Sequence, residues 1–426
     1  MKYYDGGIMK QIVIEGNHTL SGTIEIGGAK NSAVALIPAA ILSDDVVNIL
    51  NVPAISDIDA LIEILEYLGA SVSVNNGSMT IDSKTIVNKE IPEDISSKLR
   101  ASYYFMSALL GKYKHVEMYF PGGCSIGARP IDQTLKAFEA LGAKVINDEH
   151  KFIIDAENLK GNTIYLDMPS VGATINTILA SCKAEGVTII RNAAREPEIV
   201  NVATFLNNMG AKISGAGTSE IKITGVSKLS KGFTEVIPDR IEAGTYIIAG
   251  ALVGDNLKIN NIIPEHIESL LFKLREMGVK YTLSEGSITL SRTDNIKPTR
   301  VKTLGYPGFP TDLQQPLTVL LTKCNGISTL EETIYENRFK NVQYLNKMGA
   351  DINIINNQKI KIKGPSTLIG TEVTATDLRA GACMVLAALS ASGKTVINDV
   401  EHILRGYENI IQKLTNVGAS IYLEEK

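Results

Sequence analysis

The sequence predicts a mixed α/β fold built from six copies of one unit, and three observations lead there. A helix-closing glycine recurs six times at nearly constant spacing. An alternating strand follows each of these glycines. An apolar helix with a polar start recurs with the same beat.

The closing glycines are Gly69, Gly142, Gly210, Gly278, Gly349 and Gly418, at intervals of 73, 68, 68, 71 and 69 residues. Each ends a run such as Leu141-Gly142-Ala143-Lys144-Val145, where a glycine reads as the left-handed residue that stops a helix. After five of them a turn and a second alternating strand follow, as in Asn76-Gly77-Ser78-Met79-Thr80-Ile81.

The apolar helices start near Ser32, Ser97, Ser170, Asp239, Asp312 and Asp377. Serine and aspartate are favoured N-caps, because their oxygens accept first-turn amide protons. The helix bodies, such as Ala173 to Ser181 and Ala380 to Leu389, are apolar on most faces, so they are expected to be buried.

The last repeat ends before its second hairpin strand. The strands Gln11 to Glu15 and Gly22 to Ile26 are therefore expected to complete it. This divides the chain into a continuous three-repeat domain, 29–236, and a discontinuous one, 1–28 with 237–426. Two chain crossings would then favour a hinged cleft, a common place for a ligand.

Bulk properties exclude several classes. The chain has 426 residues and a net charge of −4, so no basic field points to nucleic acid. Cys124, Cys182, Cys324 and Cys383 form no CxxC pair, and no histidines gather near them, which argues against zinc or a disulfide framework. Runs such as Ala380 to Ala391 fall short of the ~18 apolar residues a membrane span needs. Met1 to Lys10 has no apolar signal core, and a reducing, cytoplasmic location is expected. Ala391-Ser392-Gly393-Lys394-Thr395 imitates the end of a P-loop, but Ala388 occupies the first glycine position and the segment leads from helix to strand.

The polar residues gather at the repeat-equivalent helix starts and loops. Lys30 and Asn31 follow Gly27-Gly28, and seven of the eleven arginines occupy such places: Arg100, Arg129, Arg195, Arg240, Arg338, Arg379 and Arg405. Helix N-termini and planar guanidiniums both suit phosphate and carboxylate. For one arginine, capping between repeats is as good a reading; for the set, a polyanion site is better. Cys124 lies in Pro121-Gly122-Gly123-Cys124-Ser125-Ile126-Gly127-Ala128-Arg129-Pro130, a stretch too rich in Gly and Pro to be regular. Such a loop exposes its thiol and can act as a lid. With an ordinary pKa near ~8.5 the thiol can donate a proton, while nearby Arg129 favours the thiolate.

This loop, with Gly28-Ala29-Lys30-Asn31, Ser170-Val171-Gly172-Ala173-Thr174, Pro238-Asp239-Arg240-Ile241-Glu242, Phe309-Pro310-Thr311-Asp312, Glu336-Asn337-Arg338-Phe339, Asp377-Leu378-Arg379-Ala380 and Arg405-Gly406-Tyr407-Glu408, resembles the enolpyruvyl transferases, and most closely their branch acting on UDP-N-acetylglucosamine. The resemblance implies two inside-out α/β barrel domains of three repeats each. It implies transfer of the enolpyruvyl group of phosphoenolpyruvate to a sugar-nucleotide 3′-hydroxyl, by addition and then elimination of phosphate, with no metal or cofactor. Asp312 would be the base and Cys124 the acid. Lys30, Arg129 and Arg405 would hold phosphate, with Arg338 and Arg379 near the carboxylate. Asn31, Arg100, Arg129, Pro130, Ile131, Asp132, Gln133, Ser170, Val171, Asp312 and Ile334 would contact the sugar nucleotide. The chain departs from the family pattern at Ser56 and Met168, where some relatives carry lysine, and at Thr134, where many carry histidine. The partners implied are the two small-molecule substrates, without nucleic acid or membrane; nothing in the sequence bears on oligomeric state.

Overall fold

The computed structural model describes residues 10–122, 131–148 and 150–425. The six closing glycines all lie at φ between 82° and 107°, where a Cβ would be strained. The repeat is therefore a backbone feature as well as a sequence one.

Five four-stranded sheets share one plan. In the third repeat, Thr163–Tyr165 lies parallel to Val187–Arg191, which pairs antiparallel with Glu220–Thr224, which pairs antiparallel with Lys212–Ser214. The sixth sheet has three strands, His115–Tyr119, Lys151–Asp155 and Lys144–Asn147. There, one parallel bridge from Ile91 to Met118 stands where the others carry a fourth strand.

The N-terminal strands part company. Lys10–Glu15 pairs with Ser420–Glu425 and Lys394–Asn398, completing the last repeat's sheet. Leu20–Glu25 does not join it, contrary to expectation, and lies parallel to Gly254–Asn260 in the fourth repeat's sheet. The cause is an exchange of edge strands. Gly232–Glu235, which precedes the fourth inner helix in the chain, pairs with Val47–Leu50 of the first repeat. Leu20–Glu25, which precedes the first inner helix, pairs within the fourth. The chain therefore crosses at residues 27–28 and 237–238, each time between an edge strand and the helix that follows it.

These crossings separate two compact units, residues 28–122 with 131–237, and residues 10–27 with 238–425. Each has its own apolar core. In the first, Tyr104–Tyr113 packs against both Lys30–Ala39 and Val171–Ser181. In the second, Arg240–Val253, Gln314–Leu321 and Leu378–Leu389 pack against one another. Helices inside and sheets outside follow from the side chains, since the helices are apolar on every side whereas the strands alternate. Small residues allow close approach: a Cβ on Gly244 would come within 2.5 Å of the Leu313 side chain. Among the described residues, no helix is long and apolar enough to cross a membrane.

Candidate active site

Three of the six expected N-caps form. Asp239 accepts from the amides of Ile241 and Glu242 at 2.8 and 3.0 Å, Asp377 from Arg379 and Ala380 at 2.9 and 3.0 Å, and Ser170 from Ala173 at 3.2 Å. The other three expectations are corrected. Ser32 lies inside the helix Lys30–Ala39 and donates to Asn201 instead. Ser97 ends the short helix Glu93–Ser96. Asp312 caps nothing, because its carboxylate is engaged elsewhere: Arg338 Nη2 donates to Oδ1 at 2.7 Å and Arg379 Nη2 to Oδ2 at 3.0 Å. A cap is worth about 1 kcal/mol, and charge-assisted bonds to two guanidiniums outcompete it.

Both arginines are buried, with side chains only 3% and 5% exposed, while Asp312 keeps 21%. Arg379 also donates from Nη1 to the Tyr407 hydroxyl at 3.3 Å, and that hydroxyl lies 2.9 Å from Thr245 Oγ1. Burial holds the Tyr407 phenol above its ordinary range although Arg379 and Thr245 pull it down, so it stays a neutral hydroxyl. Arg338 lies over the Tyr335 ring and its carbonyl accepts from Gln315 Nε2 at 2.8 Å. Arg405 is half-buried at the end of Glu401–Leu404. Next to it, a Cβ on Gly406 would come within 2.6 Å of Leu378, so this turn packs directly on the start of the last inner helix. The unit thus brings Asp312, Arg338 and Arg379 into one bonded cluster, with Tyr407 behind it. Ile334 is 41% exposed, and its amide donates to the Glu332 carboxylate at 2.8 Å.

In the other unit, Lys30 opens the first inner helix and forms an ion pair with buried Asp57. Asn31 is half-buried beside it. Arg100 opens the turn Arg100–Tyr103 and lies 5.9 Å from the centre of the Tyr103 ring. Tyr103 in turn covers Gly172, where a Cβ would fall 1.8 Å from its hydroxyl. That contact explains the glycine in Ser170-Val171-Gly172, and it links the Arg100 turn to the head of Val171–Ser181. Half-buried Ile131 and exposed Asp132 begin the helix Asp132–Ala140, and Gln133 Oε1 accepts from the Met168 amide at 3.3 Å. Cys124, Arg129 and Pro130 lie outside the described residues. Gly122 shows how the chain enters that loop: a Cβ there would sit 1.8 Å from the Ser97 carbonyl oxygen.

The other cysteines are core residues. Burial pushes the thiols of Cys182 and Cys383 up to about 12 and that of Cys324 up to about 11.

Tyr407, Glu332 and Asp57 take part in these networks without having been singled out by sequence reasoning. A signal existed for Glu332. Along Gly326–Glu331 the inward register runs Ser328, Leu330 and then Glu332, so a carboxylate falls on the buried side.

Comparison with known proteins identifies the family. A family model described as EPSP synthase (3-phosphoshikimate 1-carboxyvinyltransferase) matches residues 14–414. The chain belongs to the enolpyruvyl (1-carboxyvinyl) transferase family. Within that family, it is 51% identical over 411 residues to UDP-N-acetylglucosamine 1-carboxyvinyltransferase 2 of Listeria monocytogenes, covering 96% of this chain and 97% of the relative. It is 52% identical over 417 residues to the protein of the same name from Geobacillus kaustophilus, covering 98% and 97%. Among solved structures, the enolpyruvyl transferase NikO from Streptomyces tendae aligns with a TM-score of 0.89 at 25% identity over 98% of this chain and 99% of that one.

Proposed function

We propose that the chain transfers the enolpyruvyl group of phosphoenolpyruvate to the 3′-hydroxyl of UDP-N-acetylglucosamine with release of phosphate, the first committed step of peptidoglycan synthesis, in the cytoplasm. The observation that carries the donor is the Asp312 carboxylate held between two buried guanidiniums. Near-full-length identity of 51–52% to proteins named for the sugar-nucleotide acceptor supports the choice of acceptor.

The reaction adds the hydroxyl oxygen to C2 of the donor while C3 gains a proton, then expels phosphate and returns the C3 proton to leave an enol ether. It calls for a base at the hydroxyl, an acid at C3 and fixed cations on the donor. We assign the base to Asp312 and the acid to Cys124. The donor's carboxylate engages Arg338 and Arg379, competing with Asp312 and freeing a carboxylate oxygen to take the hydroxyl proton. Lys30, Arg129 and Arg405 bind phosphate. The residues assigned to the acceptor are Asn31, Arg100, the 129–133 stretch, Ser170, Val171, Asp312 and Ile334.

Phosphate release from phosphoenolpyruvate, run in parallel with UDP-N-acetylglucosamine and shikimate 3-phosphate, tests this. Release with the sugar nucleotide alone is expected. Release with shikimate 3-phosphate alone would overturn the acceptor, and release with neither would overturn the enzymatic reading.

A further inference from the structure

We infer that Glu332 is a positioning residue for acceptor recognition, tying the segment that carries Asp312 to the segment that carries Ile334. Glu332 is fully buried, yet its carboxylate has no lysine or arginine partner among the described residues. Four donors satisfy it instead. Thr303 Oγ1, the Ile334 amide and the Tyr335 amide reach Oε1 at 3.0, 2.8 and 3.2 Å, and Thr311 Oγ1 reaches Oε2 at 2.8 Å.

The direction of these bonds is set. Thr303 Oγ1 accepts from the Thr333 amide at 2.9 Å, and of the two acceptors for its own proton Glu332 Oε1 at 3.0 Å is closer than the Glu331 carbonyl at 3.5 Å. The carboxylate is held at its own backbone as well, since the Glu332 amide donates to the Gln358 carbonyl at 2.7 Å and the preceding residue is in strand register. Glu332 is thus fixed to a sheet, and the two loops are fixed to Glu332.

What it fixes is specific. Thr311 immediately precedes Asp312 and lies in the same turn, Thr311–Leu313. Ile334 is the exposed residue whose amide the carboxylate holds. One oxygen sets the base's turn, and the other sets the loop assigned to the acceptor. A buried acceptor-only group fully paired with four donors fixes geometry better than a neutral one, and misplacement of a reacting group by about 1 Å can cost roughly 100-fold in rate.

This inference rests on the function proposed above. The experiment compares kcat and both KM values for wild type, Glu332→Gln, Thr311→Val and Thr311→Ser, alongside thermal unfolding. Glu332→Gln turns an amide NH2 toward the donors and is expected to raise the KM for UDP-N-acetylglucosamine at least tenfold while the KM for phosphoenolpyruvate changes less than twofold. Thr311→Val breaks only the arm to the Asp312 turn and is expected to lower kcat at least tenfold, with Thr311→Ser restoring it. If Glu332→Gln does not fold, the Thr311 pair decides the matter alone. Wild-type turnover with folded variants that differ from it only in melting temperature would overturn the positioning role. Absence of wild-type turnover with the sugar nucleotide would instead overturn the function proposed above, and this inference with it.

Discussion

Asp312 meets Arg379 through Oδ2 and Nη2 at 3.0 Å, and the same guanidinium turns Nη1 to the Tyr407 hydroxyl at 3.3 Å. Tyr407, itself buried, therefore orients the arginine. Tyr407→Phe leaves the ring in place and removes one acceptor from a buried guanidinium, a loss of about 1–3 kcal/mol. We expect a lower melting temperature and a higher KM for phosphoenolpyruvate, with the acceptor KM little changed. Equal changes in the two KM values would show that Tyr407 acts on the fold and not through Arg379.

Glu242 gives the protein a pH dependence of definite sign. Burial raises its carboxyl from an ordinary 4.5 to about 7, outweighing Lys413 and the Gly27 amide, which lower it; Asp239 adds to the rise. Its partners lie close, with Lys413 Nζ at 2.6 Å and the Gly27 amide at 3.0 Å. Because the folded value is the higher one, the folded state binds more protons than the unfolded state between these two pH values. Stability from this group is complete below about pH 4.5 and is lost as pH rises through about 7, a change of about 3 kcal/mol. Melting temperature followed from pH 4.5 to 7.5 should fall more steeply in wild type than in Glu242→Gln. Parallel curves would remove Glu242 as the source.

How much was legible follows from particular residues. The six glycines needed no tertiary information, because a left-handed helix terminus is a local demand, and each lies at positive φ. Asp239, Asp377 and Ser170 were legible as caps for the same reason. Asp312 was not, since nothing local announces that two arginines, 26 and 67 residues further on, compete for its carboxylate. The exchange of Leu20–Glu25 and Gly232–Glu235 was also hidden. Either edge strand satisfies either sheet's alternation, so only pairing across the whole chain decides between them. Glu332 was half legible: strand register turns it inward, but its four donors come from three separate loop positions.

The cysteines separate by environment. With their thiols pushed up to about 11 or 12 by burial, Cys182, Cys324 and Cys383 are inert at neutral pH. We expect a disulfide exchange reagent to titrate one thiol in the native protein, at Cys124, and all four after unfolding. Cys124→Ser should abolish the native signal and nearly all turnover, whereas Cys182→Ser should retain both and lose about 1–3 kcal/mol of stability for its buried hydroxyl. Native labelling at a second position, or equal activity of the two variants, would contradict this division.

Gly172→Ala probes how the head of the third inner helix shapes its surroundings. The added Cβ would fall 1.8 Å from the Tyr103 hydroxyl and 2.9 Å from the ring carbon that bears it, so the ring has to swing away. Tyr103 packs against Tyr104 with ring centroids 4.5 Å apart and planes tilted by 32°, and the Arg100 guanidinium lies over the Tyr103 ring, 5.9 Å from its centre. Moving the ring therefore displaces Arg100, while the backbone of Val171–Ser181 is free to keep its helix, where alanine is favoured over glycine. The two effects oppose each other in stability and not in binding. We expect a melting temperature within a few degrees of wild type and a KM for UDP-N-acetylglucosamine raised about fivefold, equivalent to about 1 kcal/mol. If Arg100→Ala alone reproduces that rise and adding Gly172→Ala to it changes nothing further, the effect passes through Arg100; additive effects would mean that Gly172 touches the acceptor by another route.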